Sequence, residues 1–167
     1  MKTFIISDTH FSHSNILTFK REDGTILRDF NHINEHDETL IQNWNKVVSP
    51  NDKVYHLGDV GFKNWTSLSN ILVRLNGTKV LIKGNHDYHK PSQYLQHFKD
   101  IRASHVMDKM VLTHIPIHPD SLSRWRANIH GHTHYRNMSD PRYFNTSVEA
   151  IHYTPIDFEY IRSVYKE

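Results

Sequence analysis

KVYHLGD, residues 53 to 59, is the stretch from which the fold can be worked out. It is a short apolar run that ends in a glycine and a carboxylate, a pattern typical of a buried strand that carries a polar side chain to its end. The same design occurs three more times, in KTFIISD at 2–8, KVLIKGN at 79–85 and KMVLTH at 109–114. We therefore expect four buried strands, each followed at once by polar residues.

Helical patterns separate these strands. One predicted helix places Leu40, Ile41, Trp44, Val47 and Val48 on a single face, with Trp44 in the core. A second places Leu68, Ile71, Leu72 and Leu75 on one face and stops at Asn76-Gly77, and a shorter one is expected over 91–99, starting at Pro91. Short strands are expected after residue 126, at 127–130, 143–148 and 151–158. Alternating strands and helices predict an α/β fold with a largely parallel inner sheet covered on both faces.

Composition restricts the kind of protein. The 167 residues suit a single domain spanning 1–167, with the polar, weakly periodic stretch 11–34 as an insertion over one face. The N-terminal apolar run is too short for a signal peptide and no run approaches the ~20 residues of a membrane helix, so we expect a cytoplasmic protein with no membrane partner. The absence of cysteine excludes disulfides and thiolate metal sites. A net charge of +2 is too small to indicate a nucleic-acid-binding surface.

Metal-binding side chains follow every predicted strand. The strand ends read Asp8-Thr9-His10, Gly58-Asp59, Gly84-Asn85-His86-Asp87, Thr113-His114 and Gly131-His132-Thr133-His134. Because function collects at the carboxyl ends of parallel strands, these residues should converge. Carboxylate, imidazole and amide ligands suit divalent Mn, Fe, Co, Ni or Zn. The glycines before Asp59, Asn85 and His132 lack a Cβ, which is expected to let the backbone turn sharply and to bring each ligand close to the ion. With 15 histidines in the chain, only such context makes any one of them a candidate ligand.

The ordered motifs D-x-H, G-D, G-N-H-D, H and G-H-x-H, spread over residues 8 to 134, resemble those of the calcineurin-like metallophosphoesterases, in particular the short phage and bacterial members. The resemblance implies an α/β fold of four αββα layers, a central β-sandwich flanked by helices, with a dinuclear metal centre at the carboxyl ends of the strands. It also implies two divalent transition-metal ions as cofactors. We expect Mn²⁺, with Fe, Co, Ni or Zn as alternatives.

The resemblance assigns a role to each motif residue. Asp8, His10, Asp59 and His134 would hold the first metal, and Asp59, Asn85, His114 and His132 the second, with Asp59 bridging. His118 is a rival to His114, which directly ends its apolar run. His86 would contact the phosphate and could protonate the leaving oxygen. Asp87 would orient His86, and it could also cap the helix that follows.

This set of residues makes chemical sense for a hydrolase. Two ions about 3.5–4 Å apart can share a hydroxide that attacks phosphorus while both ions hold the phosphoryl oxygens. Two divalent ions less the charges of Asp8 and Asp59 leave a positive centre that attracts an anionic ester. We therefore expect a phosphodiesterase acting on a small or nucleotide-type phosphoester, with phosphomonoesterase activity on aryl phosphates as well. His13, Arg28 and Arg136 are the candidate substrate contacts.

Differences between the motifs of this chain and those of related phosphatases restrict the class of reaction that we expect. Phosphoprotein phosphatases and the dinucleoside polyphosphatases carry G-D-x-x-D-R-G, whereas this chain reads GDVGFKN, and they have G-N-H-E where this chain has GNHD. A protein phosphatase is therefore not expected. One alternative is a nuclease for single-stranded ends or RNA, with nucleic acid as substrate only and a basic path through Lys20, Arg21 and Arg28. The other is a non-catalytic binding module, which would have lost metal ligands. Nothing in the sequence indicates an oligomeric state.

Overall fold

Two mixed β-sheets form the centre of the fold in the computed structural model, which describes residues 1–166. The first sheet contains β1 (Thr3–Ile6), β2 (Lys53–His56), β3 (Thr78–Ile82), β4 (Phe98–Arg102) and β9 (Ile156–Asp157). The second contains β5 (His105–Met107), β6 (Met110–Leu112), β7 (Ala127–His130) and β8 (Tyr143–Asn145). Their strand orders are β4-β3-β2-β1-β9 and β5-β6-β7-β8.

The pairing directions bring most strand ends to one edge. Strands β1 to β4 pair in parallel, as do β6, β7 and β8, while β9 and β5 are antiparallel edge strands. Ile6 lies opposite His56, which lies opposite Leu81. A parallel bridge between Ser7 and Ser147 joins the chain after β1 to the chain after β8. The carboxyl ends of both sheets therefore meet at the same place.

Four α-helices accompany the sheets, α1 (Ile33–Val47), α2 (Trp65–Leu72), α3 (Pro91–Tyr94) and α4 (Phe158–Val164). Asn64 begins α2 by accepting a hydrogen bond from the backbone of Ser67, a standard N-cap. Trp44 of α1 is 1 % exposed, which confirms its predicted place in the core. Among residues 1–166, no helix combines the length and apolarity that a membrane crossing requires.

The first sheet is buried on both faces. One face packs on α1 and α2, in a cluster that includes Phe4, Ile6, Val54, Leu40, Trp44 and Leu68. The other face packs on the second sheet and α4, in a cluster that includes Ile5, Tyr55, Val80, Leu112, Ile129 and Phe158. Strands buried on both faces read as continuous apolar runs, which is why they were evident in the sequence. The predicted α/β class with sheets flanked by helices is confirmed.

Several element predictions were wrong in extent. The helix expected over 91–99 stops at Tyr94, because β4 starts at Phe98 and pairs with β3. The strand expected over 151–158 is reduced to the two residues of β9, since the Asp157 side chain accepts from Glu159 N and begins α4. The strand expected over 143–148 ends at Asn145, and β5 was not anticipated.

Residues 11–34, predicted to be an insertion, contain a 3-10 helix at Ser14–Thr18 and an antiparallel bridge between Lys20 and Ile26. The segment is anchored by five buried residues: Phe11, Ser12, Ile16, Leu27 and Arg28. A second 3-10 helix, Pro119–Arg124, covers the outer side of the second sheet through Leu122, which clusters with Val111 and Tyr143.

Candidate metal centre

The strand ends converge on two adjacent groups of metal-binding side chains. Asp8, His10 and His134 form one group, and Asp59, His114 and His132 form the other, with the ligand atoms of each group within 4.8 Å of one another. Asp59 faces both groups. Its Oδ2 lies 3.7 Å from Nε2 of His10, and its Oδ1 lies 3.4 Å from Nε2 of His114. One carboxylate with an oxygen toward each group is the arrangement that a bridging ligand requires.

Asn85 completes the second group. Its Oδ1 lies 2.8 Å from Nε2 of His114 and 3.0 Å from Nδ1 of His132. The structure thus brings all seven predicted metal ligands together. His118, the rival of His114, stays outside the centre, where its exposed ring accepts a hydrogen bond from Asp120 N.

The backbone of the centre is strained. Five of its residues adopt a left-handed conformation, with φ between 48° and 69°: Asp8, His10, Asp59, His132 and His134. Residues other than glycine rarely adopt this conformation, and each such residue costs about 1–3 kcal/mol. Backbone hydrogen bonds from Asp8 N to Gly58 O and from His10 N to Asp59 O hold two of the loops in this shape. Other residues, such as Lys63 and Asp108, share this conformation, but five of them in one small cluster indicate that the direction of these side chains has a function.

Two glycines are required here by crowding. A Cβ on Gly84 would lie 2.3 Å from Asp59 Oδ1, and a Cβ on Gly131 would lie 2.4 Å from Asp8 Oδ2. Neither has a positive φ. The expected close approach of the ligands is therefore present at both glycines, where the missing Cβ leaves room for a carboxylate, but a left-handed turn is not. Of the three glycines that precede candidate ligands, only Gly58 adopts the left-handed region, with φ of 95°.

Buried atoms without partners show that the first group suits a cation. Oδ1 of Asp8 and both ring nitrogens of His10 are buried and have no hydrogen-bond partner among the described residues. Buried polar atoms are almost always paired, so three such atoms in one place call for a further group. A divalent cation between Asp8 and His10 would satisfy the carboxylate and one ring nitrogen. The donor set therefore fits a metal ion.

The second group suits a cation for a different reason. Nδ1 of His114 lies 2.7 Å from the carbonyl oxygen of Leu57 and donates its proton there. In the neutral ring, Nε2 then carries a lone pair that faces the oxygens of Asn85 and Asp59. Lone pairs at such distances repel unless a proton or a metal ion lies between them. Burial disfavours the charged ring, but the contact with Asp59 and the charges of Asp8 and Asp59 outweigh it and raise the pKa of His114 to about 9.

The remaining charges also favour metal binding. Burial opposes ionisation of Asp8 and Asp59, but the surrounding histidines outweigh it and lower the pKa of both carboxyl groups, which stay anionic. Burial lowers the pKa of His10 to about 4, so its ring is neutral and can donate a lone pair. The centre thus offers two carboxylates together with imidazole and amide ligands.

Glu149 supports His134 from behind, and sequence reasoning missed it. Its Oε1 accepts hydrogen bonds from Nδ1 of His134 at 3.0 Å and from Nε of Arg28 at 2.8 Å, and its side chain is fully buried. Burial opposes its ionisation, but Arg28 and His134 outweigh it and lower the pKa to about 2. The strand predicted at 143–148 ends directly before Glu149, so the strand-end pattern would have identified it.

Arg28 was expected to contact substrate, and this prediction was wrong. Its side chain is fully buried and donates to Glu149, to Thr9 O at 2.9 Å and to Asp8 O at 2.5 Å, and it also contacts His36. A guanidinium with no exposed surface cannot reach a substrate. It holds the Asp8–His10 loop and neutralises Glu149 instead.

Asp87 also has a role other than the predicted ones. Its carboxylate accepts from the backbone nitrogens of Asp59, Val60 and Gly84, at 3.0, 2.9 and 2.7 Å, and from the Tyr94 hydroxyl. It neither orients His86 nor caps α3, which begins after Lys90. Asp87 fastens the Gly58-Asp59 loop to the Gly84–Asp87 loop. The partner of His86 is Tyr88, whose hydroxyl lies 3.0 Å from Nδ1 of His86.

His56 forms a buried hydrogen-bond chain beneath the centre. Gly58 N donates to its Nδ1 at 3.1 Å, its Nε2 donates to Thr9 Oγ1 at 2.9 Å, and Thr9 donates to Val60 O at 2.7 Å. The chain connects the loop after β1 to the loop after β2. Burial lowers the pKa of His56 to about 3, so the ring is neutral as this pattern requires.

The other candidate substrate contacts lie around the rim. The His86 ring centroid is 6.1 Å from that of His10, and His86 N donates to Asp59 Oδ1 at 2.8 Å. The His13 centroid is 5.7 Å from that of His10. Arg136 is exposed, forms an ion pair with Glu22 at 2.6 Å, and lines a cavity of about 470 Å³ that also includes His132 and His134. His13 and His86 thus border the centre, whereas Arg136 lies at the mouth of this cavity.

Comparison with known proteins found relatives without a described function, and no family model matches the chain. A crystal structure of AQ665 from Aquifex aeolicus, a protein of unknown function, superposes with a TM-score of 0.75 and 27% identity over 98% of both chains. The gene 66 protein of Mycobacterium phage L5 is 27% identical over 79% of this chain and 77% of its own length. The uncharacterized protein MJ1445 of Methanocaldococcus jannaschii is 35% identical over 96% of this chain and 89% of its own. The chain belongs to the same protein family as MJ1445.

Proposed function

We propose that the protein is a dimetal-dependent phosphoric ester hydrolase, acting as a phosphodiesterase on a small or nucleotide-type phosphoester. The observation that carries this proposal is the position of Asp59, with one oxygen toward His10 and the other toward His114. The proposal includes the four-layer αββα fold of the calcineurin-like metallophosphoesterases. Two sheets packed face to face, with α1 and α2 on one outer side, support that assignment.

The charge balance favours an anionic substrate. Asp8 and Asp59 contribute two negative charges, while the charge of Glu149 is matched by Arg28. Two divalent cations held by these residues would leave the centre positive, because the histidine and asparagine ligands are neutral. When bound, such ions polarise phosphoryl oxygens and lower the pKa of water. The mixture of ligands favours Mn²⁺ over Mg²⁺, which prefers oxygen donors.

His86 is placed to protonate the leaving group. In hydrolysis the oxygen of water forms a bond to phosphorus, the bond from phosphorus to the leaving oxygen breaks, and that oxygen takes up a proton. In the protonated ring, Nδ1 donates to the Tyr88 hydroxyl, and Nε2 carries the proton that passes to the leaving oxygen, which returns the ring to its neutral form. The hydrogen bond from His86 N to Asp59 Oδ1 fixes the residue against the centre.

The structure does not favour the nuclease alternative. A nuclease would require a basic surface that includes Lys20, Arg21 and Arg28, but Arg28 is buried and forms an ion pair with Glu149. The Arg21 guanidinium lies over the ring of Tyr135, 5.3 Å from its centroid. A small phosphoester is therefore the better substrate class.

Metal content and turnover of two variants test the proposal. His86→Ala should retain two metal ions per chain while its kcat for bis(p-nitrophenyl) phosphate falls by about 10²–10⁴-fold. Asp59→Ala should lose metal, as measured by inductively coupled plasma mass spectrometry. His118→Ala is the matched control, because this exposed histidine lies outside the centre. Unchanged turnover in His86→Ala would remove His86 from the reaction, and full metal content in Asp59→Ala would overturn the assignment of the centre.

A further inference from the structure

Aromatic rings form one wall of the centre, on the side of His86. The ring of Phe62 stacks on His13 with centroids 4.0 Å apart and lies 5.5 Å from His86. Tyr88 stands at right angles to Phe62, 6.4 Å away, and Phe19 stands edge-on to His13 at 5.9 Å. We call Phe19, Phe62 and Tyr88 the aromatic shelf. The proposed chemistry uses the hydroxyl of Tyr88, but neither it nor the fold accounts for the grouping of these three rings.

Two of these rings face solvent although they border a polar site. Tyr88 is 72% exposed and Phe19 is 45% exposed, whereas the core aromatics are almost fully buried. Exposed aromatic surface grouped at the edge of a polar cleft is typical of a binding surface, because it gains free energy only when a ligand covers it.

Phe62 of the aromatic shelf is held rigidly by the loop after β1 and by α2. Phe62 N donates to Phe11 O at 2.8 Å, and Gly61 pairs with Phe11 in a parallel bridge. Gly61 is packed so tightly that a Cβ there would lie 2.7 Å from the side chain of Leu68 and 2.8 Å from Phe11 O. Phe62 therefore presents its ring at a fixed distance from His86, so little ordering is needed when a ligand binds.

The shelf continues into the cavity beyond His132 and His134. The lining of this cavity includes Phe19 of the shelf together with Lys20, Tyr135 and Arg136, and Arg136 is paired with Glu22. Because His86 is the proposed proton donor to the leaving oxygen, a leaving group would lie on the side of His86, next to the rings of Phe62 and Tyr88.

We propose that the aromatic shelf binds a planar ring on the leaving group, so that the protein selects nucleoside phosphates over phosphates of simple sugars. This inference rests on the proposed function, since the role of His86 decides which side the leaving group occupies. Ring faces offer stacking without hydrogen-bond readout, so any nucleobase should be accepted.

AMP and ribose 5-phosphate test the shelf directly. Both release the same ribose 5′-oxygen, and they differ only in the base at C1′. With the Mn²⁺-loaded full chain, kcat/KM for AMP should exceed that for ribose 5-phosphate by about 5- to 100-fold, the range of one stacked base. Calorimetric binding of the same two compounds gives a second readout. Tighter binding of AMP than of ribose 5-phosphate would support the shelf even without turnover of these monoesters, and equal binding of the two compounds would overturn it. Hydrolysis of the diester bis(p-nitrophenyl) phosphate tests the proposed function separately.

Variants separate stacking from the hydrogen bond to His86. Tyr88→Phe keeps the ring and should keep the preference for AMP, while Tyr88→Leu and Phe62→Leu should each reduce it severalfold. Because Tyr88 is 72% exposed, its replacement is not expected to unfold the chain. Tyr160→Leu, at a 58% exposed tyrosine on α4, is the matched control and should keep the full preference. A preference that survives in the Phe62→Leu, Tyr88→Leu double variant would overturn the proposal.

A third set of probes identifies the source of the nucleoside. A dinucleotide and a hexanucleotide carry the same base and phosphate as AMP at a strand end. Binding of AMP at least as tight as that of the longer compounds would assign the shelf to free nucleotides. Tighter binding of the hexanucleotide would assign the shelf to strand ends. In either case, loss of tight binding of both AMP and the hexanucleotide in the Phe62→Leu variant would support the shelf.

Discussion

Nδ1 of His134 donates a hydrogen bond to Oε1 of Glu149 at 3.0 Å, and this contact decides which nitrogen of His134 faces the metal-binding group. With the proton held on Nδ1, Nε2 is the atom free to bind a cation. Glu149 is held in turn by Arg28, which also donates to the carbonyl oxygens of Thr9 and Asp8. The two sides of the first metal group are thus coupled through a buried ion pair.

Replacing Glu149 should weaken both metal binding and folding. Glu149→Gln keeps the shape but removes the charge, which leaves Arg28 buried without an anionic partner and removes the support of His134. Loss of such a support typically reduces metal affinity by about 10–100-fold, and an unpaired buried charge costs about 3–5 kcal/mol. Calorimetric Mn²⁺ titration and chemical denaturation measure the two effects. Glu38→Gln, in the exposed pair with Arg74, is the control and should cost less than about 1 kcal/mol. Equal behaviour of the two variants would contradict this role.

A methyl group at Gly131 should disrupt the first metal group. Gly131→Ala would place Cβ 2.4 Å from Asp8 Oδ2 and from Ser7 Oγ, so Asp8 must move. We expect reduced metal content, measured by mass spectrometry, together with loss of stability. Gly24→Ala is the control, because Gly24 has a φ of 83° but no atom lies within 4 Å of the place that its Cβ would take. It should cost about 1 kcal/mol of backbone strain and leave metal content unchanged. If Gly131→Ala binds metal normally, the close approach has no function.

Acid should destabilise the protein through His56. Its pKa falls from about 6.5 in the unfolded chain to about 3 in the folded one, because burial disfavours the charged ring. Between these values the unfolded chain binds more protons, so stability is fully present above about pH 6.5 and is lost as the pH falls toward 3. Urea denaturation of chelator-treated protein at several pH values should show the free energy of unfolding decreasing as the pH falls from about 6.5 toward 3. His56→Gln should reduce this dependence of the free energy of unfolding on pH, and the control His118→Gln should leave it unchanged. An unchanged dependence in His56→Gln would assign the acid destabilisation to other groups.

Metal binding should release protons from His114. In the metal-free protein its pKa is raised to about 9, so the ring is protonated near neutral pH and must lose that proton to bind a cation. The apparent metal affinity should therefore rise with pH and level off near pH 9. Calorimetry in two buffers of different ionisation enthalpy counts the protons. At about pH 7.5 we expect roughly one proton per chain from His114. No release at that pH would contradict the raised pKa of His114 in the metal-free centre.

The residues of the candidate metal centre could be predicted from the sequence because each lies within four residues after the end of a buried strand. Parallel pairing then leaves little choice about where such residues meet. Among the supporting residues, Glu149 follows a predicted strand, but the roles of Asp87 and Arg28 could not be assigned in this way. Asp87 and Arg28 act through contacts with distant loops, and a local pattern does not show whether a polar side chain points toward a cleft or into the interior. The same applies to residues 98–102, whose pairing with β3 decides their conformation.

The central claim is that two metal ions in this centre are needed for phosphoester hydrolysis. Stepwise addition of Mn²⁺ to metal-stripped protein, with bis(p-nitrophenyl) phosphate as substrate, tests it most directly. We predict that turnover rises as two ions bind per chain and that Mn²⁺ restores more activity than Mg²⁺. Full turnover of the stripped protein in the presence of a chelator would contradict the claim.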